Sequence, residues 1–102
     1  MTLETKKLYQ ITEEICKYLN LDENLFFCAG HVAIRIHEGR RYFCYIARKE
    51  FNIPVARICK FLGYDQNRTV WGHIENIRTM YSKDISPQLT KDIDTITQNC
   101  KP

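Results

Sequence analysis

Residues 61–77 read FLGYDQNRTVWGHIENI, and this stretch decides the fold. A glycine and a short polar run separate two segments in which apolar residues recur at helical spacing. Glycine commonly ends a helix because it adopts the left-handed backbone conformation without strain. After the polar run, one helical face is formed by Val70, Ile74, Ile77 and Tyr81. The stretch predicts a helix, a turn at Gly63 and a second helix whose N-cap is Asp65 or Asn67.

Helical spacing also dominates the chain before this stretch. Apolar residues recur over residues 8–19 and again over residues 39–51. Pro54 fits the first turn of a short helix, because the N–H that proline lacks would have no acceptor there. Residues 29–38 show a weak alternation of apolar and other residues, and we expect an extended loop there.

The whole chain is predicted to be a single all-α domain over residues 1–102, with five or six helices. Ser86 and Pro87 mark the start of a last helix. The two helices around Gly63 form a helix-turn-helix at approximately residues 54–82. In that motif the first residues of the second helix meet base edges in the major groove of DNA.

Gly72 and Trp71 of the second helix can each be interpreted in two ways. Gly72 costs about 1 kcal/mol relative to alanine inside a helix. Either a close approach to its backbone or tight packing against a neighbouring helix would explain it. Trp71 is expected to pack within the protein rather than to stack on a base.

Basic charge is concentrated in the middle third of the chain. The protein has a net charge of +3, but residues 1–34 sum to −2, residues 35–68 to +5 and residues 69–102 to zero. A local positive patch attracts polyanions even when the whole molecule is nearly neutral. The positive third ends at the start of the second helix, where contact with DNA is expected.

Several classes of function find no support in the sequence. No apolar run is long enough to span a membrane, and residues 1–10 lack the apolar core of a secretion signal. Five cysteines with no C-x-x-C pair indicate free thiols in a cytoplasmic protein. The spacing of Cys28, His31, His37 and Cys44 matches no common zinc pattern. No arrangement typical of catalysis or of cofactor binding is present, so we expect no enzyme activity, cofactor or metal.

Most of the chain resembles a known family. Residues 45–77, YIARKEFNIPVARICKFLGYDQNRTVWGHIENI, resemble the C-terminal DNA-binding domain of the bacterial replication initiator DnaA, which has a TrpR-like fold. That family has the motifs Y-L-A-R-E-L, S-L-x-E-I-G and F-G-G-R-D-H-T-T-V. Here residues 45–48 correspond to the start of the first motif, and Thr69 and Val70 to the end of the last. The four residues before Thr69 differ, so the resemblance implies the same scaffold with a different preferred DNA sequence.

The resemblance implies sequence-specific binding of double-stranded DNA, related to replication or transcription. The residues expected at the bases are Gln66, Asn67, Arg68 and Thr69. The residues expected at phosphates are Arg35, Arg40, Arg41 and Arg48, together with the backbone N–H groups of Val55 and Ala56. The phosphate-binding motif G-x-x-x-x-G-K-[ST] is absent, so any ATPase would come from a partner protein. The alternative is a protein-interaction module that has kept the fold and lost DNA binding.

Overall fold

The computed structural model describes residues 2–27 and 34–101, which contain six helices and no β-strand. The helices are α1 (Leu3–Leu19), α2 (Glu23–Phe26), α3 (Ile34–Tyr45), α4 (Val55–Leu62), α5 (Asn67–Ser82) and α6 (Pro87–Cys100). A π-helical turn, Ile46–Glu50, continues α3. The all-α prediction is confirmed. None of the helices in these two ranges is long and apolar enough to cross a lipid bilayer.

Helix α3 lies at the centre of the packing. It makes its most extensive contacts with α5 and also contacts α1 and α2, while α1 packs against α6. The core takes at least one fully buried side chain from each of these elements, including Ile11, Phe26, Phe43, Ile46, Ile58, Ile74 and Ile93. Helix α5 contributes only one face to this core, so its opposite face is left to solvent.

The turn between α4 and α5 follows the sequence prediction. Gly63 has φ 76° and ψ 24°, the left-handed conformation expected at this helix end. Its N–H donates to the carbonyls of Cys59 and Lys60, and the N–H of Tyr64 also donates to Cys59. The predicted range of 54–82 therefore contains two helices joined by the turn at residues 63–66.

The structure corrects the expected loop over residues 29–38. Helix α3 begins at Ile34, and residues 28–33, with Cys28 and His31, lie outside the described residues. The alternating isoleucines suggested extended chain, but Ile34 is exposed and Ile36 is buried, as on the two faces of a helix. The buried face continues with Gly39, where a Cβ would lie 3.1 Å from the side chain of Leu21 and 3.3 Å from that of Ile15. An apolar pattern misses this face because a glycine occupies its centre.

Four cysteines within the described residues are free and buried: Cys16, Cys44, Cys59 and Cys100. Burial raises the pKa of Cys16 and of Cys100 to about 11. The thiols of Cys16 and Cys100 therefore stay protonated at neutral pH and act as small apolar groups in the core.

Candidate nucleic-acid interface

The first turn of α5 presents four polar side chains to solvent. Val70, Ile74 and Ile77 are almost completely buried and fix which face of α5 points inward. All four residues from Gln66 to Thr69 are exposed. Their side chains make no hydrogen bond or ion pair with any residue that the structure describes. They are therefore free to bind a ligand.

The N-terminus of α5 has no side-chain cap, which corrects the expectation for Asp65 and Asn67. The N-cap is Gln66, with φ −136° and ψ 136°, and its side chain accepts no bond from the helix. Asp65 precedes the cap position and Asn67 is already the first helical residue, so neither is placed to cap. Open N–H groups and the positive end of the helix dipole favour an anion or a hydrogen-bond acceptor at this end.

Trp71 is exposed beside Arg48, contrary to the expectation that it packs within the protein. Its exposed fraction is 44%. The guanidinium carbon of Arg48 lies 6.0 Å from the centroid of the Trp71 rings. Arg48 comes from the π-helical turn after α3 and also donates to Asn52 Oδ1 at 3.3 Å. The sequence held a signal for this, because Trp71 directly follows the buried Val70 and so falls outside the apolar row.

The start of α4 lies close in sequence to this pair. The N–H groups of Arg57 and Ile58 donate to the Pro54 carbonyl at 3.0 and 3.2 Å. Those of Val55 and Ala56 have no acceptor within the described part of the chain, and Pro54 supplies no side-chain cap. Asn52, the partner of Arg48, immediately precedes this turn. Through its bond to Asn52, Arg48 is held to the segment of chain that leads into these two open N–H groups.

Arg41 reaches the other flank of α5. Its Nη1 donates to Asn76 Oδ1 at 3.2 Å, while its Nε is buried without a hydrogen-bond partner. Trp71 follows a buried residue and Asn76 precedes one, so at about 100° per residue they lie on opposite flanks of the helix. Arg41 and Arg48 therefore flank the exposed face of α5 from its two sides.

The two remaining arginines face elsewhere, which corrects their assignment as phosphate contacts. Arg40 is only 4% exposed, and its Nε donates to the Phe26 carbonyl at 2.9 Å. Arg35 is exposed, but its Nη2 donates to the carbonyl of Leu19 at the end of α1. Arg35 also lines a surface cavity together with Asp92 of α6. Both guanidinium groups serve packing between helices in this structure.

Two histidines meet where α3 packs on α5. The rings of His37 and His73 are edge to face, with centroids 5.3 Å apart, and the Tyr64 hydroxyl lies 3.3 Å from His73 Nε2. Burial, together with the charges of His37, Arg41 and Arg40, lowers the pKa of His73 to about 4. Burial and the same two arginines also lower the pKa of His37. At neutral pH this contact therefore carries no histidine charge.

We expect His73 to make the protein less stable as the pH falls from 6.5 to 4. In this range the unfolded chain binds a proton at His73 that the folded chain, with its pKa near 4, does not bind. The resulting loss of unfolding free energy is at most about 3 kcal/mol, since each tenfold change in proton affinity is worth about 1.4 kcal/mol. Urea denaturation of the wild type and of His73→Gln at pH 7, 5.5 and 4 measures it. The stability difference between the two proteins should move in favour of the variant as the pH falls, and a constant difference would contradict the assignment.

One surface of the protein thus combines an uncapped helix N-terminus, uncommitted polar side chains and flanking arginines. The polar side chains offer donors and acceptors in the first turn of α5, and Arg41 and Arg48 lie on its two flanks. Such a surface suits a ligand that carries phosphate charge along its edges and polar groups between them. Comparisons with models of protein families, with curated proteins and with solved structures found no match to the chain.

Proposed function

We propose that this chain binds double-stranded DNA, with the first turns of α5 in the major groove. The observation that carries the proposal is that Gln66, Asn67, Arg68 and Thr69 are all exposed and uncommitted at an uncapped helix start. Arg68 can donate two hydrogen bonds to one guanine, and the amides of Gln66 and Asn67 can pair with adenine. These residue types match the groups that the bases present in the major groove.

The positions of Arg41 and Arg48 on the two sides of α5 support the same proposal. Arg48 with the open N–H groups of Val55 and Ala56 would bind one strand, and Arg41 would approach the other. Such contacts fix the position of a protein on the duplex, while the side chains in the groove set its sequence preference. The protein would act in the cytoplasm in replication or transcription, as a DnaA-like binding module with any ATPase supplied by a partner.

A protein-interaction module is the second candidate, and an exposed aromatic group favours it. Tyr9 of α1 and Phe27 after α2 are 49% and 37% exposed, and both rings contact Phe61 of α4, with centroids 4.9 and 5.4 Å away. Exposed clusters of large apolar side chains are typical of surfaces that bind other proteins. This cluster does not include the polar residues of α5, so the two functions are separable by mutation.

Fluorescence anisotropy with a labelled duplex that the wild type selects from a random pool, at about 50 mM salt, tests the proposal. The wild type should bind, and a variant with Gln66, Asn67 and Arg68 all replaced by alanine should bind more than about tenfold more weakly. Lys17→Ala on the exposed surface of α1 removes the same net charge and should leave the affinity unchanged. Failure of the folded wild type to bind, or equal binding by the triple variant, would refute DNA binding through α5.

A further inference from the structure

Gly72 lies in the middle of α5, and nothing in the described structure requires a glycine there. A Cβ built at this position meets no atom within 4 Å, so close packing against a neighbouring helix is not the reason. Its φ lies outside the left-handed region, in contrast to Gly63. Glycine nevertheless destabilises the interior of a helix, because its helix propensity is lower than that of alanine. An alanine at this position would therefore make the folded protein more stable.

The position of Gly72 is on the face of α5 that points away from the core. It lies two residues from Val70 and two from Ile74, both of which are fully buried. It also lies four residues after Arg68, and residues at that spacing share one side of a helix. The exposed helix backbone at Gly72 therefore sits one turn beyond the residue proposed to contact a guanine.

We propose that Gly72 is a close-contact point, where the base edges on the floor of the major groove touch the backbone of α5. This inference rests on the proposed function. Without a Cβ, the helix axis comes nearer to the bases at this turn than at any turn that presents a side chain. Exposed Trp71 then borders the contact on the flank where Arg48 lies. The nearer approach would let the short side chains of Asn67 and Thr69 reach the groove floor.

A size series at this position tests the inference. Gly72→Ala should raise the melting temperature, because the helix is favoured and the methyl group meets nothing. It should nevertheless weaken binding to a duplex selected by the wild type by about tenfold, and Gly72→Leu should weaken it further. The matched control is Asn99→Ala, an exposed position in α6 where alanine also favours the helix. It should leave the affinity unchanged, which separates contact at Gly72 from a general effect of helix stability.

Two outcomes would overturn the inference while leaving the proposed function intact. Binding by Gly72→Ala at wild-type affinity would show that no close contact exists at this turn. A lower melting temperature for Gly72→Ala would show that the fold itself needs the glycine. If the wild type selects and binds no duplex, the proposed function fails and this inference fails with it.

Discussion

Binding to duplex DNA is expected to weaken by about fiftyfold when the salt concentration rises from about 50 to about 200 mM. The reason is the set of basic side chains around α5 that are expected at phosphates, namely Arg41, Arg48 and Lys49. Each phosphate that a basic side chain neutralises releases condensed counterions, so log K falls with log salt by about 0.9 per contact. Three contacts give a slope of about −3, measured by anisotropy titrations at four or five salt concentrations.

Single substitutions assign the slope to the proposed surface. Arg48→Ala should make the slope less steep by about one, because it removes one phosphate contact. Lys17→Ala on α1 should leave it unchanged. Arg40 is unsuited to this test, because its buried guanidinium holds the Phe26 carbonyl and its loss would disturb the core. A slope near zero, or one that Arg48→Ala and Lys17→Ala change equally, would contradict phosphate binding beside α5.

The helices of the second half of the chain were predictable because local signals agree there. The apolar spacing of α5, the glycine at position 63 and the Ser86 cap each act within one or two turns of chain. The start of α3 was not predictable in this way. Its buried face carries Gly39 and Arg40, and the buried Arg40 donates to the Phe26 carbonyl fourteen residues away. A contact at that range leaves no periodic trace in the sequence.

The candidate site could also be predicted only in part. The exposure of residues 66–69 followed from Val70, since an anchored residue fixes the direction of its neighbours in a helix. The arginines of α3 were all assigned to phosphate contacts, and this was wrong for Arg40. Adjacent residues of a helix point about 100° apart, so Arg40 and Arg41 face different neighbours. Arg40 and Arg41 form one basic pair in the sequence, yet Arg40 is bonded to the last residue of α2 and Arg41 to α5. Only the packing of α3 between its neighbours decides which of the two faces α5.

The π-helical turn of α3 has a further consequence for the site. It follows directly on Tyr45 and carries Arg48 and Lys49. A π-helical turn widens the helix and changes the direction of the residues after it, and such turns are frequent at functional sites. Here Arg48 is directed to Trp71. The resemblance to the DnaA domain pointed to Arg48 as a phosphate contact, but the partnership with Trp71 depends on backbone geometry that no motif encodes.

Arg68→Ala is expected to abolish the preference for one base pair while leaving general DNA binding in place. The Arg68 side chain is exposed, makes no hydrogen bond or ion pair with the described residues and lies two positions before the buried Val70. It therefore points away from the core at the start of α5. Two N–H groups donated to one guanine are worth about 1–3 kcal/mol against the wrong base, which is about 5- to 150-fold in affinity. Selection from a random DNA pool, followed by titration of matched and single-substituted duplexes, measures this preference.

Two further variants distinguish base recognition from the other roles that Arg68 could have. Arg48→Ala should weaken binding to all sequences alike, because a phosphate contact carries no sequence information. Asn67→Ala should lose preference at a neighbouring base pair without a loss of stability, because its side chain caps no helix in this structure. If Arg68→Ala enriches the same DNA motif as the wild type, Arg68 contacts no base. If Asn67→Ala instead lowers the melting temperature and selects the same DNA motif as the wild type, Asn67 stabilises the helix and contacts no base.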